Sequence, residues 1–383
     1  MKTADLFNPP ANEVIACKNI SAPFSVGNRV GICKGNDALT PGDAQICIIG
    51  IPDSDETGHA GTAGAPDIIR QEFYRLVSPD KKMIIRDFGN LIISGNKKDN
   101  YAAARIAIAE ILEKKTSLLI LGGTAGILQA VYDAYAAMKR KLSLLEVAPR
   151  VSFSANTTEN ELLVNRIIRD KRNYLANYTN LGYQQYYNDP AAIEGLKEIY
   201  FDAIRLGESR NDLSAVEPLI RDCNVFSVDI SCVRQSDAPA HHNPSPNGYY
   251  SEELCRLARY AGLGNNVDVF LISEMNPEYD HNGQTAGLAA QACWYYTEGM
   301  LARNHDHPSG QPEKFVKFNV AVENFEHSFI FYKHRKTEKW WMEIPCTEAK
   351  KNSVIVSCTF ADYKAACDHH VPDRWWRNFQ KIN

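Results

Sequence analysis

Val225-Phe226-Ser227-Val228-Asp229-Ile230-Ser231, followed by Ala238-Pro239, is the stretch on which the fold turns. An apolar run that closes on a small residue and an acid reads as a buried parallel strand, delivering side chains at its carboxyl end. In open α/β sheets that edge is where ligands bind.

Outward from it the chain alternates. Runs at Ile46 to Ile51, Lys82 to Phe88 and Ser117 to Leu121 read as strands, the third closed by Gly122-Gly123. Arg150 to Phe153, Glu198 to Ile204, Asn224 to Asp229 and Val267 to Ile272 continue the series. Helical patterns fall between them at 101–114, 127–138, 159–177, 213–221, 251–261 and 285–303. Such alternation predicts a mostly parallel sheet covered by helices on both faces.

Residues 1–44 are rich in Pro and Gly and read as an N-terminal extension to an α/β domain at 45–303. The polar stretch 304–316 reads as a linker. Residues 317–383 would add a final strand, an aromatic hairpin and a tail packed on the main domain.

Composition excludes several classes. With 383 residues the chain can bury a large core, and its formal net charge of −4 offers no attraction to nucleic acid or an anionic membrane. No apolar run approaches ~18 residues, and the start lacks a signal pattern. A cytoplasmic location follows as the expectation. The ten cysteines are scattered without a C-x-x-C pair, as expected of buried thiols in a reducing compartment. There is no Walker loop, no G-x-S-x-G elbow and no G-x-G-x-x-G after a strand.

The opening stretch resembles the ureohydrolase family of arginases, agmatinases and formiminoglutamases, whose members carry a Ser-x-Asp-x-Asp strand and then Ala-Pro. Further segments share the resemblance, in order: Gly50-Ile51-Pro52, Gly64-Ala65-Pro66 running to Ile69-Arg70, Asp87-Phe88-Gly89, Glu274-Met275-Asn276-Pro277 with Asp280, and Thr285 to Ala290. It covers roughly Gln45 to Arg303 and implies a three-layer α/β/α sandwich, arginase-like, with a C-terminal β-hairpin added. It also implies two manganese ions bridged by a hydroxide that attacks a guanidinium or formimino carbon.

Six ligand positions are implied with them: a His after Gly-Gly-x, three in Asp-Ala-His-x-Asp, and the two acids of the strand. Here Ala125 follows Gly122-Gly123-Thr124, and Ser231 replaces the second strand acid. Ser154, Asn156 and Thr158 align with the Asp, His and Asp of the central motif. Only Asp229 keeps an acid. Two dications beside one carboxylate would leave about three positive charges uncompensated in a partly buried site, where charge is costly. Manganese is therefore expected of the family and not of these residues, so the expected cofactor is none.

Glu274 stands where the family's acid faces the cationic end of the substrate. Either it still pairs with a cationic ligand, with Asp229 beside it, or Glu-x-Asn-Pro merely shapes a turn. Replacement ligands are conceivable in Glu159, Glu161, Asp237, His241 and His242, and His305-Asp306-His307 lies in the linker. Ordinary polar loops are the reading expected for them.

The ligand pocket is thus expected at Thr124, Ala125, Ser154, Asn156, Thr158, Asp229, Ser231 and Glu274. The function expected first is that of a catalytically degenerate member, a pseudoenzyme with a ligand-binding or protein-interaction role. The alternative is a hydrolase of C–N bonds in guanidino or formimino compounds with an altered metal site, with Asp229 and Glu274 as its catalytic groups. A third is an interaction protein acting through its hairpin. Phe329, Phe331, Trp340 and Trp341 are the expected interaction residues, because exposed aromatic faces mark partner or oligomer surfaces, with burial wholly within the same chain as the alternative. The expected partners are a small cationic ligand and a second copy or another protein.

Overall fold

The computed structural model describes residues 3–33, 42–54, 61–155, 162–322, 328–346 and 353–382. The chain opens with β1 (Phe7–Asn8), α1 (Asn12–Asn19) and β2 (Val30–Ile32), then β3 (Ile46–Gly50), α2 (Ala65–Arg75) and β4 (Ile85–Leu91). Next come α3 (Lys97–Glu113), β5 (Ser117–Leu121), α4 (Leu128–Ala137), β6 (Leu142–Val147), α5 (Leu163–Arg169) and β7 (Leu175–Tyr183). They continue with α6 (Pro190–Glu198), β8 (Asp202–Arg205), α7 (Leu206–Asn211), α8 (Glu217–Asp222), β9 (Val225–Asp229), α9 (Ser251–Leu263), β10 (Val269–Ser273) and α10 (Gln284–Leu301). A second part holds β11 (Phe315–Val320), β12 (Phe329–His334), β13 (Trp340–Pro345), β14 (Ser353–Cys358), α11 (Phe360–Cys367) and α12 (Asp373–Ile382).

The main sheet has the order β1-β4-β3-β5-β10-β9-β6-β7-β8, with β2 also on β4. All its pairings are parallel except β1 on β4. Its central strands are apolar throughout, as burial on both faces requires: every residue of β3, β5 and β10 is buried. Two apolar layers flank the sheet, one against α2, α9 and α10, the other against α3 and α4. This is the predicted arginase-like α/β/α architecture. The order makes β5, β10, β9 and β6 adjacent, so their carboxyl ends form one continuous rim.

Helix starts follow local chemistry. Pro66 and Pro190 sit in first turns, where the missing N–H is harmless. Asp280 accepts from the backbone N–H of Thr285 and Ala286 at 2.8 and 2.9 Å, capping α10 with negative charge at its positive end. No helix among the described residues is long and apolar enough to cross a membrane.

The structure departs from the sequence reading in four places. The strand expected at Arg150 to Phe153 lies at Leu142–Val147 instead, paired between β9 and β7. Glu146, buried in its interior, interrupts the apolar run that would have marked it as a strand. The helix expected over 159–177 stops at Arg169 and is followed by β7. Asn180 in that strand carries no periodic signal, because its amide is held by the carbonyl of Arg150 on a neighbouring segment. The N-terminal extension is also not irregular: β1 and β2 both pair with β4, and α1 packs on α2.

The fourth correction concerns the aromatic residues. Strands β11 to β14 form an antiparallel meander, with the β12–β13 hairpin at its centre. Phe329 and Phe331 are fully buried, and Trp340 and Trp341 nearly so. Trp375 of α12 packs edge-on against Phe329, and Trp340 stacks on Phe318 and Tyr363. Trp341 faces the main domain, where the Arg221 guanidinium lies 4.3 Å over its ring and Arg221 Nη2 donates to the Trp340 carbonyl at 3.2 Å. These four aromatics form the chain's own core and not an interaction surface. The tail β14–α11–α12, absent from the sequence reading beyond its aromatic character, is what covers Phe329, Phe331 and Trp340.

Candidate functional site

The site forms on the rim because each strand ends in a residue type that turns the chain sharply. At the end of β5, Gly122 and Gly123 have φ of 79° and 69°. A Cβ on Gly122 would lie 2.4 Å from Pro66, and one on Gly123 2.5 Å from the Ile51 carbonyl. Only glycine meets both the left-handed backbone and the close approach. The turn delivers Thr124, whose Oγ1 donates to Asp53 Oδ2 at 3.1 Å, and Ala125. Asp53 is buried at the carboxyl side of β3, and the sequence reading missed it. Its only signal was its place directly after Gly50-Ile51-Pro52.

β10 ends at Ser273, and Glu274 follows with φ 68°. A non-glycine residue there costs on the order of 1–3 kcal/mol and persists only where its surroundings hold it. Two bonds hold it. The Glu274 N–H donates to the Gly123 carbonyl at 2.9 Å, and Glu274 Oε1 accepts from the Ala125 N–H at 2.5 Å. Asn276 shapes the next turn, its Oδ1 accepting from the Glu278 N–H and its own N–H donating to the Ala240 carbonyl. The turn reading of Glu-x-Asn-Pro is realised in Asn276-Pro277, and Glu274 is buried beside it at the rim.

β9 delivers Asp229, whose Oδ1 accepts from the Ser231 N–H at 2.8 Å. Burial pushes the Asp229 carboxyl above the usual carboxylate range; His241 opposes the shift and Glu274 adds to it. The Glu274 charge thus reaches Asp229 across adjacent strand ends, with the His241 ring nearby. His241 Nδ1 also accepts from the Asn243 N–H at 3.0 Å.

β6 supplies the fourth part of the rim, and here the corrected strand changes the residues in question. The segment leaving it is Val147-Ala148-Pro149-Arg150-Val151-Ser152. Continuing the register Val147↔Val228 sets Ala148 beside Asp229. Ser154 lies well past the strand end, its N–H and carbonyl both bound by the Asn165 amide of α5. Asn156, Thr158, Glu159 and Glu161 lie outside the described residues. No placement of Asp-Ala-His-x-Asp over 147–152 restores a ligand, since the segment holds no Asp, Glu, His or Cys and adds an arginine.

Other predicted groups are engaged elsewhere. Asp237 pairs with Arg234 Nε at 2.8 Å and accepts from the Ser251 N–H. Asp306 anchors the hairpin turn through Thr337 and Lys339, accepting from Thr337 Oγ1 at 3.0 Å. Among the described residues no three His, Cys, Asp or Glu side chains are grouped to hold a metal ion.

A sequence profile of the arginase family matches residues 44–297. The chain belongs to the arginase family. Among its relatives are the formimidoylglutamase of Staphylococcus haemolyticus, 24% identical over 251 residues, covering 62% of this chain and 80% of that protein. The formimidoylglutamase of Vibrio cholerae is 24% identical over 317 residues, covering 74% and 89%. Of solved structures, the Bacillus subtilis formimidoylglutamase superposes with a TM-score of 0.64 at 20% identity, covering 72% of this chain and 92% of that one. The Trypanosoma cruzi formiminoglutamase with Mn2+ gives 0.62 at 17% identity, covering 68% and 95%. The fold is shared. Manganese belongs to that crystal structure; among the described residues of this chain, Ala125, Ser231 and the 147–152 segment offer no anionic oxygen or imidazole to such an ion pair.

Proposed function

We propose that this chain is a formiminoglutamase-like member of the family that takes a small amidine or guanidine cation at the rim of β5, β10, β9 and β6. One observation carries the reading: the carboxyls of Asp229 and Glu274 lie at adjacent strand ends, close enough for the Glu274 charge to disfavour ionisation of Asp229. A planar cation with several N–H donors relieves that repulsion and matches the geometry of two carboxylates.

The relatives are named as hydrolases of a formimino compound, which supports hydrolysis of a C–N bond as the activity. The donors among the described residues do not suit a binuclear metal centre. The groups able to hold or move a proton at the bound amidine are Asp229, Glu274 and His241. A second reading, binding without turnover, is favoured by Ala125 and Ser231, which remove donors that would generate a metal-bound nucleophile. A homo-oligomer and a cytoplasmic location remain part of the proposal, without the hairpin aromatics as the contact.

The test is to offer N-formimidoyl-L-glutamate, agmatine, arginine and 4-guanidinobutyrate, following product release and calorimetric binding in parallel. Turnover of one compound that falls at least roughly a hundredfold in Asp229→Asn establishes the hydrolase. Saturable binding without product establishes the second reading. Binding of none of the four overturns both.

A further inference from the structure

At the amino ends of β6, β7 and β8 lies a cleft of about 890 Å³ that the proposed function does not touch. Ser143, Asn177 and Asp202 bring these strands into its lining, and α8, β14 and α12 complete the walls. The three strands are parallel, so the cleft sits at the edge of the sheet opposite Asp229 and Glu274. Two sets of bonds fix the walls. Asp222 of α8 accepts from the Ser357 N–H of β14 at 2.8 Å and from its hydroxyl at 2.5 Å. Arg377 Nη1 of α12 donates to Asp202 Oδ1 of β8 at 2.7 Å. β14 and α12 lie beyond residue 297, where the match to the arginase family ends.

α12 turns a face of cations into this space. Arg374, Arg377 and Lys381 stand at i, i+3 and i+7, one side of an α-helix, and all three line the cleft. Two carboxylates meet them. Asp202 takes Arg377 and lies 3.9 Å from Lys381 Nζ. Asp362 lies 3.5 Å from Arg374 Nε, but it already accepts from the Thr359 N–H and hydroxyl, both at 2.7 Å. Arg374 Nε is buried and has no hydrogen-bond partner among the described residues. Lys381 Nζ donates to the neutral Asn177 Oδ1 at 2.5 Å. Burial lowers the pKa of Lys381; Asp202 opposes this, and the charges of Arg377 and Arg374 add to it. The three cations therefore crowd one another. The remaining acids of the lining are engaged or exposed: Asp222 holds Ser357, Asp212 accepts from the Ser214 N–H and hydroxyl, and Glu208 and Asp373 are in water.

The same cleft has apolar surface in Leu175, Ile204, Val216, Leu219, Val354 and Val356. Lys141 adds a further cation, its Nζ bound to the neutral Asn173 carbonyl at 2.5 Å. Small-molecule sites combine these features: mostly apolar walls, a few convergent polar groups and volumes of about 300–1,000 Å³. A cation entering here would meet three like charges. An anion would relieve their repulsion, and guanidinium groups match the oxygens of carboxylate and phosphate in pairs.

We propose that this cleft is a second ligand site, taking a small organic anion that bears a phosphate or paired carboxylates. Its charge rests on Arg374, Arg377 and Lys381, and its carbon part lies against the apolar lining. Bound there, the anion bridges α12 to β7 and β8 and tightens the docking of the C-terminal part on the main sheet. The site stands whether or not the rim binds an amidine.

Calorimetry of the full chain with citrate and with pyrophosphate, in about 150 mM salt, tests it. At least one probe should bind at about one site per chain with a Kd below about 1 mM. Arg377→Gln and Lys381→Met should each weaken that binding at least roughly tenfold, while Asp229→Asn leaves it unchanged. Binding of citrate alone assigns the site to carboxylates, and of pyrophosphate alone to phosphates. No saturable binding of either probe up to about 10 mM overturns the proposal. So does binding that both cleft variants retain, or that Asp229→Asn abolishes, which would seat the anion at the rim. Arg377 is half exposed, so its replacement is tolerated. Should Lys381→Met not fold, hydrogen exchange of the wild type decides. The bound probe should raise protection at least roughly fivefold in β14 and α12 and not at the ends of β5, β9 and β10. A rise confined to those strand ends overturns the proposal equally.

Discussion

The backbone N–H of Ala125 donates to the carboxylate of Glu274 at 2.5 Å, joining the ends of β5 and β10 at the position where the family resemblance calls for a histidine ligand. The acid that faces substrate in the family is here also a structural clasp across the rim. Its left-handed backbone is held from both sides by the Gly122-Gly123 turn.

Glu274→Gln keeps an oxygen to accept from Ala125 but removes the charge. Stability should change by less than about 1 kcal/mol, while affinity for an amidine cation falls at least roughly tenfold. Glu274→Ala also leaves the Ala125 N–H without its acceptor and should cost about 1–3 kcal/mol in urea denaturation. Unchanged cation affinity in the Gln variant would remove Glu274 from the pocket.

Manganese should neither co-purify at stoichiometric level nor protect against unfolding. A ligand present at about 100 times its Kd stabilises by about 2.7 kcal/mol. Elemental analysis after growth in excess manganese, with thermal scans at added metal, checks this. Two equivalents bound, with a matching rise in melting temperature, would show that donors outside the described residues rebuild the centre.

The pH dependence of stability should carry the mark of Glu146. Burial pushes its carboxyl up from 4.5 to about 7. The folded state therefore holds a proton that the unfolded chain releases at lower pH. Its contribution is fully present below about pH 4.5 and is lost as pH rises through about 7, a difference of at most a few kcal/mol. Glu146→Gln should flatten this window and be more stable than the wild type at about pH 8. Denaturant midpoints measured across the range decide it, and parallel curves for the two proteins would remove Glu146 as their source.

Trp341 should behave as a core residue. Trp341→Ala removes the ring under the Arg221 guanidinium and should cost about 3–5 kcal/mol. Excision of the β12–β13 hairpin should prevent native folding of the second sheet, followed by near-ultraviolet circular dichroism. A truncated chain with unchanged tertiary signal and stability would return the hairpin to an accessory role.

Asp280→Ala should unfasten the start of α10 by about 0.5–2 kcal/mol, since two backbone donors lose their acceptor. Equal midpoints for variant and wild type at neutral pH would show that water serves the helix end as well.

Much of this protein was determined by local chemistry legible in the chain. Apolar runs closed by Gly122-Gly123, Asp229 and Glu274 marked β5, β9 and β10 and their shared edge, because continuous burial and a sharp turn each need particular residue types. The start of α2 after Gly64 was legible for the same reason. What remained hidden depended on partners distant in sequence. β6 and β7 carry Glu146 and Asn180 inside the sheet, tolerable only because Tyr178, Ser152 and Arg150 meet them there. The aromatic hairpin read as a surface because α12, which covers it, gives no sign in sequence of where it folds back. Periodicity records which residues are apolar; only the tertiary structure decides which polar group finds its partner and which apolar face finds its cover.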